Sequence, residues 1–505
     1  MHRKGTYGPL PFLLVLILLS GAGHPAASQV RTTAFDGGDM AASLAEARTF
    51  TRYPTYDQYV QILQDWATDH PDICRLDTFG TSVEGRLLLA LKISDRVEEE
   101  EAEPRFLYSS TMHGDEILGY VLLLRLADTL LSGYGTDPEI DALVNDLEIW
   151  INPLANPDGS FGQGADPQSL EGAIRSNSQG FDLNRTFPDA GIGSAYSTSG
   201  LPGENVHMVA FLEKHGFNLS ANLHGGEEVV NYPWDHTYDL HADDGWFRFV
   251  SREYADEARA VDPGYMPNFT DGITNGADWY VIDGGRQDFV TWFLGGREVT
   301  LELSLEKMPG AETLEEFWDI NYRSLINYMA QARYGIHGIV SDLETGDPLE
   351  ARIAIPGHDS GYSAVTSRPA FGDFYRYLDE GTYDLVASAP GYLSDTLWNV
   401  GVEPYETTRV NFRLTAWETG VPEETGTVRL YPNPAGDWIT VEWGGAGTHP
   451  VSCQLLNLHG QVLEDIRMTG SDLRIRISTR NLMAGTYFLK IHSVEGTSIH
   501  KFLKY

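Results

Sequence analysis

Apolar residues follow two different spacings along the chain, and the spacing changes near Tyr334. Before it, strand-like runs such as residues 106–112 and 219–223 alternate with residues 117–131, where apolar positions have helical spacing. Such runs are typical of strands buried on both faces, and helical spacing between them indicates helices that cover those faces. The pattern predicts an α/β fold, a mixed β-sheet flanked by helices.

After Tyr334 the chain consists of short alternating apolar and polar runs separated by turns. Residues 351–355 and 409–414 are of this kind, as are residues 438–443 and 485–492 nearer the C-terminus. A period of two is typical of strands with one face in a core. We therefore expect two small all-β sandwich domains after the α/β domain.

These changes of pattern predict where the domains meet. The α/β domain is assigned to residues 51–334 and the first sandwich to 335–416. A segment rich in Glu, Gly and Thr at 417–427 is interpreted as a linker, and 428–505 as the second sandwich. Residues 29–50 are small and polar and are interpreted as a linker or short propeptide.

Residues 1–28 have the order of a secretory signal peptide. Basic residues at 2–4 precede the apolar run 12–19, and Ala26-Ala27-Ser28 offers small side chains for cleavage. No later stretch has the roughly 18 consecutive apolar residues of a membrane-spanning helix, so none is expected. The sequence thus predicts an exported protein.

Net charge limits the possible binding partners, and cysteine content limits the possible metal ligands. The formal net charge is −37, which repels phosphates, so no nucleic-acid partner is expected. Cys74 and Cys453 are the only cysteines, and their wide separation predicts two unpaired, buried thiols. Any zinc site is therefore expected to lack thiolate ligands.

Candidate metal ligands lie where strands end. His113 and Glu116 follow a predicted strand and precede a predicted helix, and His224 closes another strand before a Gly-Gly turn. Open α/β sheets bind ligands at the carboxyl ends of their strands. Two imidazoles and a carboxylate suit a catalytic zinc that keeps one open position. A His-x-x-Glu pair also occurs by chance, and a core histidine is the alternative for His224.

Further side chains are suited to binding anions and moving protons. Arg185 offers a planar fork for a carboxylate, with Asn184 as a neutral donor beside it. Asp182 can orient a zinc-bound histidine, and Arg175 can face a developing oxyanion. Glu302 lies within the apolar run 299–303, where burial raises its pKa and suits it to proton transfer. Taken singly, each is also compatible with an ion pair.

Taken together, these residues resemble the active site of the carboxypeptidase A-like zinc metallocarboxypeptidases, or funnelins. His113, Glu116 and His224 look like their zinc ligands, which implies one Zn²⁺ per chain. The resemblance implies that Glu302 is the general base and Tyr280 the mobile tyrosine that caps the substrate. It assigns Arg175 to the oxyanion, Asn184-Arg185 to the terminal carboxylate, and Asp182 to support of His113.

Longer motifs are similar to the N/E, or regulatory, subfamily. They are Ser82-Val83-Glu84-Gly85-Arg86, Asn156-Pro157-Asp158-Gly159, and residues 222–235 and 275–289. The resemblance implies that residues 335–416 form a transthyretin-like sandwich. It also implies that Asp235 and Gln287 line the S1′ pocket and favour C-terminal Arg or Lys, the alternative for Asp235 being a turn cap. Glu227-Glu228 and Arg286 depart from the usual residues near that pocket.

The C-terminal segment resembles the sorting domain of the type IX secretion system. The resemblance lies in residues 430–435, 456–462 and 482–487, three blocks in the usual order. It implies the secretion machinery as a partner, and a protein that is secreted or held at the outer-membrane surface. A generic β-sandwich that binds carbohydrate or a surface is the alternative.

The sequence therefore predicts a secreted zinc metallocarboxypeptidase that hydrolyses the C-terminal bond of peptides and proteins. Two other functions stay open. One is a zinc amidase of the same fold acting on cell-wall peptides, and the other is a non-catalytic surface module that binds peptides.

Overall fold

A computed structural model describes residues 34–162, 166–191, 193, 195–360, 362–416, 428–443, 450–458, 460–467, 474–493 and 496–504. The predicted signal peptide and the predicted linker at 417–427 lie outside these residues. The chain divides into two compact units after Thr415.

The α-helices of the described chain are α1 (Leu44–Ala47), α2 (Tyr56–Asp69), α3 (Leu118–Gly133), α4 (Pro138–Asp146), α5 (Pro157–Phe161), α6 (Gly203–His215), α7 (Asp244–Val261), α8 (Gly276–Trp279), α9 (Arg286–Phe293) and α10 (Leu314–Ala330). The strands of the first unit are β1 (Cys74–Thr81), β2 (Leu87–Ile93), β3 (Arg105–Ser110), β4 (Glu148–Asn152), β5 (Leu219–His224), β6 (Glu227–Tyr232), β7 (Ile273–Asn275), β8 (Arg297–Ser304), β9 (Gly335–Asp342), β10 (Arg352–Ala354), β11 (Val365–Thr366), β12 (Asp373–Arg376), β13 (Gly381–Ser388), β14 (Asp395–Val402) and β15 (Thr407–Leu414). Those of the second unit are β16 (Val428–Tyr431), β17 (Trp438–Trp443), β18 (Pro450–Leu456), β19 (Val462–Arg467), β20 (Arg474–Ser478), β21 (Gly485–Ser493) and β22 (Gly496–Lys504).

An eight-stranded mixed sheet forms the centre of the first unit, in the order β1-β2-β4-β3-β5-β8-β6-β7. The four central strands, β4, β3, β5 and β8, are parallel, and β2 and β6 flank them in antiparallel pairing. One face packs on α3, α7 and α10, the other on α6 and α9. The predicted mixed sheet with helices on both faces is confirmed.

Local sequence explains where several helices begin. The Thr55 hydroxyl accepts a hydrogen bond from Gln58 N, and Thr55 N donates one to Gln58 Oε1, a capping box that starts α2. Proline at the first position starts α4 and α5, where its missing N–H costs no hydrogen bond. The Asn156 side chain caps α5 by accepting from Gly159 N.

The stretch interpreted as a linker or propeptide differs from that interpretation over its described residues, 34–50. They form a 3₁₀ turn at Gly37–Asp39 and helix α1, and they bury Ala47 and Phe50 in the main core. Ala34 also forms a bridge with Pro309. Few but well-placed apolar residues make this polar stretch part of the folded unit. Its proteolytic removal stays a prediction.

A small β-sandwich, β9 to β15, follows in the same unit. One sheet has the order β11-β10-β13-β14 and the other β12-β9-β15, with β15 parallel to β9. Side chains from both sheets form one core, with Ile336, Phe374 and Phe412 from one and Ile353 and Leu385 from the other.

A buried ion cluster joins this sandwich to the α/β part. The Asp243 carboxylate, just before α7, accepts hydrogen bonds from Arg297 Nη2 (2.7 Å), Arg376 Nη2 (2.9 Å) and His358 Nε2 (2.8 Å). Asp243, Arg297 and Arg376 are all buried. Beside them the rings of Trp246 and Tyr377 stack with centroids 5.4 Å apart. The two parts therefore share an interior.

The second unit is also a sandwich, with sheets β16-β17-β20 and β19-β18-β21-β22. Ile439, Ile477, Leu489 and Phe502 belong to its core. The prediction of two small all-β sandwiches is thus confirmed. Cys74 and Cys453 are both free and buried, as predicted. Among the described residues, none of the helices combines the length and apolar character that crossing a bilayer requires.

Candidate active site

His113, Glu116 and His224 meet at the carboxyl edge of the sheet. His113 and Glu116 lie in the loop between β3 and α3, and His224 is the last residue of β5. His224 Nδ1 is 3.0 Å from His113 Nδ1 and 2.7 Å from Glu116 Oε2, and His113 Nδ1 is 3.0 Å from the same oxygen. All three side chains are buried.

This donor set fits a divalent cation. Each of the three residues offers one ligand atom, and the three atoms lie within 4.8 Å of one another. Two imidazole nitrogens and one carboxylate oxygen are the ligands of a three-residue catalytic zinc site. Both imidazoles use their other nitrogen, His113 Nε2 towards Asp182 Oδ1 at 3.0 Å and His224 Nε2 towards the Asn222 side-chain amide at 2.7 Å. Such partners orient metal-binding imidazoles.

Close backbone packing holds the loop in place. A Cβ atom at Gly114 would lie 2.3 Å from the carbonyl carbon of Gly159, so only glycine fits there. The Asn156 side chain donates to Met112 O at 3.1 Å, and Gly114 N donates to Arg175 O at 3.2 Å. These contacts tie the loop to the segment that carries Arg175.

Burial and mutual interaction shift the pKa values of the three side chains in the cluster. Burial lowers the pKa of His224 to about 4, against the opposing effect of Glu116. For His113 burial acts in the same direction, but the Glu116 and Asp182 carboxylates outweigh it and raise the pKa. Burial would raise the pKa of Glu116, yet the two imidazoles hold it well below its usual value. Glu116 is thus a carboxylate, the form that binds metal.

Glu302 lies next to this cluster, because β8 pairs with β5 so that Glu302 is opposite His224. Its Oε2 atom is buried and has no hydrogen-bond partner among the described residues. Burial of the carboxyl group, and then the charge of Glu116, raise its pKa well above the usual value. A carboxyl with raised pKa and a free oxygen in a cavity can take up a proton.

Arg175 and Asp182 lie on the other side of His113. Arg175 Nε donates to Asp182 Oδ2 at 2.8 Å, and its Nη1 donates to Glu116 Oε1 at 3.2 Å. The Arg175 side chain stays 36% exposed, enough to reach a ligand in the cavity. The structure therefore brings both predicted residues to the cluster.

Lys307 was not predicted from the sequence, and it also reaches the cluster. Its Nζ donates to Glu116 Oε1 at 3.0 Å and lies 3.3 Å from both carboxylate oxygens of Asp115. The only signal for it was a lysine shortly after the strand that carries Glu302. Lys307 and Arg175 thus both neutralise the Glu116 oxygen that faces away from the imidazoles.

A cavity of about 180 Å³ opens over the cluster and is lined by eighteen residues. Among them are Asn184, Arg185, Asp235 and Tyr280. The Arg185 guanidinium lies 5.9 Å from the centre of the Tyr280 ring, and Tyr280 is 48% exposed. The predicted carboxylate-binding residues therefore surround one space beside the metal-ligand set.

Asp235 forms one wall of this cavity and is buried. Its Oδ1 accepts from Asn231 Nδ2 at 3.0 Å and from Gln287 Nε2 at 3.1 Å. A Cβ at Gly276 would lie 1.8 Å from that oxygen, so a glycine is needed there. Burial, followed by the charge of Asp288, raises the pKa of Asp235 well above its usual value.

Gln287 contacts Asp235 but is not one of the residues that line the cavity. Asn231, which the sequence analysis did not single out, lines the cavity instead. The carbonyl oxygens of both side-chain amides are buried and lack a hydrogen-bond donor among the described residues. Of the two, the Asn231 oxygen belongs to a residue of the cavity wall, and with the Asp235 carboxylate it leaves the cavity short of hydrogen-bond donors.

Comparison with known proteins agrees with this geometry. A family model described as "Zinc carboxypeptidase" matches residues 59–324, and one described as "Secretion system C-terminal sorting domain" matches residues 429–505. The chain therefore belongs to the zinc carboxypeptidase family, and it carries a sorting domain at its C-terminal end. The predicted family and the predicted sorting domain are confirmed.

Relatives within that family include N/E-type carboxypeptidases. Human carboxypeptidase N catalytic chain is 35% identical over 400 residues, which cover 72% of this chain and 86% of that protein. Human carboxypeptidase D is 38% identical over 378 residues, or 72% of this chain and 27% of that protein. The chain thus spans about a quarter of the length of the carboxypeptidase D relatives that it matches.

A solved structure of thrombin activatable fibrinolysis inhibitor shares the fold. The TM-score is 0.50 at 18% identity, and the match covers 59% of this chain and 78% of that one.

Proposed function

We propose that the protein is an exported, zinc-dependent carboxypeptidase that removes the C-terminal residue of peptides and proteins and prefers Arg or Lys there. The observation that carries the proposal is the convergence of His113, Glu116 and His224 beside Glu302, at the floor of a cavity that also holds Arg185 and Asp235.

Cleavage at the end of a chain, rather than within it, follows from the positively charged Arg185 side chain in the cavity. Arg185 can bind a free α-carboxylate with two parallel hydrogen bonds, and Asn184 adds a neutral donor. Tyr280 is half exposed at the rim, so its hydroxyl can close over a bound peptide. An internal peptide has no carboxylate to offer to these groups.

The pocket behind the clamp is suited to a basic side chain. Asp235 supplies a negative charge, and the amide oxygen of Asn231, which lines the same cavity, has no donor among the described residues. A guanidinium brings five N–H groups and a lysine three, so either one satisfies acceptors that a phenyl ring leaves unpaired. Hydrogen bonds to charged groups contribute about 1.5–3 kcal/mol each.

His113, Glu116 and His224 would hold the metal that the family implies, one ion per chain. When bound, zinc supplies a Lewis acid for the scissile carbonyl and lowers the pKa of a water. Glu302 takes the proton of the attacking water and delivers it to the leaving amine nitrogen. Arg175 turns its exposed guanidinium to the developing oxyanion, and Asp182 keeps the His113 imidazole in position.

Hydrolysis of four matched peptides tests this function. We expect peptides ending in Arg or Lys to be cleaved at least about tenfold faster than those ending in Phe or Glu, since one charged hydrogen bond is worth that factor. A chelator should abolish cleavage, and added zinc should restore it. Cleavage of muropeptides without cleavage of any of the four would favour the amidase, and absence of both would favour a binding module.

We also propose the route of export. A signal peptide at 1–28 would direct the chain out of the cytoplasm, and residues 428–505 would direct it through the type IX machinery to the surface or the medium. The sorting-domain match supports this route. Deleting residues 428–505 should leave the protein inside the outer membrane in cell fractionation, and normal release of the truncated chain would contradict it.

A further inference from the structure

A buried ion pair, Arg286 with Glu298, lies behind the pocket and has no assigned role. Arg286 Nε donates to Glu298 Oε1 at 2.9 Å and its Nη2 donates to Oε2 at 3.0 Å, the two-bond arrangement of a guanidinium and a carboxylate. Both side chains are completely buried. Neither lines the cavity.

The pair connects a helix with the two strands that carry catalytic candidates. Arg286 is the first residue of α9, and Glu298 lies in β8, the strand of Glu302. Glu298 Oε2 also accepts from Ser220 Oγ at 2.7 Å, in β5, the strand of His224. The start of α9 is thereby fixed to the centre of the sheet.

The first turn of α9 in turn holds both halves of the substrate site. Arg286 N donates to Asn184 Oδ1 at 2.9 Å, which orients the amide beside Arg185. Gln287 donates to Asp235 Oδ1, and Asp288 accepts from the backbone N–H groups of Asp235 and His236 at 2.9–3.1 Å. A shift of this turn would move the carboxylate clamp and the pocket carboxylate together.

We propose that Arg286 and Glu298 are positioning residues for substrate binding: they lock the first turn of α9 to β5 and β8, so that Asn184 and Asp235 stay aligned with the metal site. This inference rests on the proposed function. A loosened turn would move Asn184 and Asp235 away from the substrate groups that they contact, so substrate binding should weaken measurably.

The test replaces both partners with apolar residues. Single changes leave a lone buried charge, whereas exchanging the whole pair for apolar side chains is often neutral for stability. Phe289 and Val290 of α9 are buried in a hydrophobic cluster that does not include the ion pair, and this packing keeps the helix attached to the sheet. The variant is Arg286→Met/Glu298→Leu, and its control is Arg323→Met/Glu139→Leu, which removes a doubly bonded pair at the surface.

Two readouts are measured, the kinetics on an Arg-ended peptide and the affinity for free arginine by calorimetry. We expect the Tm of the double variant to lie within about 4 °C of the wild-type value. A shift of that size corresponds to a change of roughly 1 kcal/mol or less in the free energy of unfolding. KM and the Kd for arginine should both rise about tenfold or more, while kcat changes less than about threefold. The control pair should change none of these, and Arg286→Lys, which keeps the charge but loses the fork, should lie in between.

A folded double variant with wild-type KM and Kd would overturn the inference, as would a loss confined to kcat. If the double variant fails to fold, Arg286→Lys decides by the same ratios. A wild-type protein that neither cleaves Arg-ended peptides nor binds arginine would overturn the proposed function, and this inference with it. An active wild type beside an unaffected variant overturns the inference alone.

Discussion

Replacing Asp235 with asparagine isolates the charge of the pocket from its shape. The amide has nearly the same size and can still accept from Asn231 and Gln287. What it loses is the charge-assisted contact with a basic side chain, worth about 1.5–3 kcal/mol. At about 1.4 kcal/mol per factor of ten, kcat/KM for an Arg-ended peptide should fall roughly 10- to 150-fold.

The same change should leave a Phe-ended peptide within about threefold of its wild-type rate, because that side chain makes no charged contact. Burial raises the pKa of Asp235 well above its usual value, so acid protonates the wild-type carboxyl early. The difference between wild type and Asp235→Asn should therefore shrink as the pH is lowered. The exposed Asp271→Asn serves as the control. An equal fall for both peptides, or none, would refute the assigned pocket.

Three further predictions concern catalysis and stability. Glu302→Gln should keep zinc, measured by atomic absorption, but lose at least about a hundredfold in kcat. Asp243→Asn should lower the free energy of unfolding, measured by denaturant titration, by about 3–5 kcal/mol, because Arg297 and Arg376 lose their buried partner. Burial lowers the pKa of His337 from 6.5 to about 4, which makes up to about 3 kcal/mol of stability depend on pH.

The sign for His337 follows from its neutral folded form. Its contribution is fully present above the unfolded pKa of 6.5 and is lost as the pH falls towards 4. A His337→Gln variant should therefore lose less stability than the wild type between pH 7.5 and 4.5. Equal losses would contradict this.

Normal turnover of Glu302→Gln would remove its role as base, and an unchanged unfolding curve for Asp243→Asn would show that the cluster contributes no stability.

Sequence reasoning could propose the metal-ligand set because each member lies at a recognisable place, close to the end of an apolar run. His224 ends β5, His113 and Glu116 follow the end of β3, and parallel strands bring their carboxyl ends to one edge of a sheet. The alternation of strands and helices was equally informative for the fold. These features depend on residues near one another in sequence.

Contacts between distant segments carried no such signal. Lys307, Asn231 and Glu298 are ordinary polar positions in the sequence, and Arg286 is only an unusual one, until the sheet brings their partners within reach. Residues 29–50 were interpreted as a linker or short propeptide for the same reason, since burial of Ala47 and Phe50 depends on a surface built elsewhere in the chain. Local composition reports propensity, whereas these positions are decided by tertiary packing.

The shared interior around Asp243 has a consequence for where this chain can be cut. A chain that ended before Gly335 would lose Arg376, His358 and the Tyr377 ring that covers Trp246, and it would expose a buried carboxylate and an indole at once. A truncated form of this chain should therefore stay folded only when it keeps both sides of this junction. In this chain the sandwich is part of the same folded unit as the α/β part and not a detachable accessory.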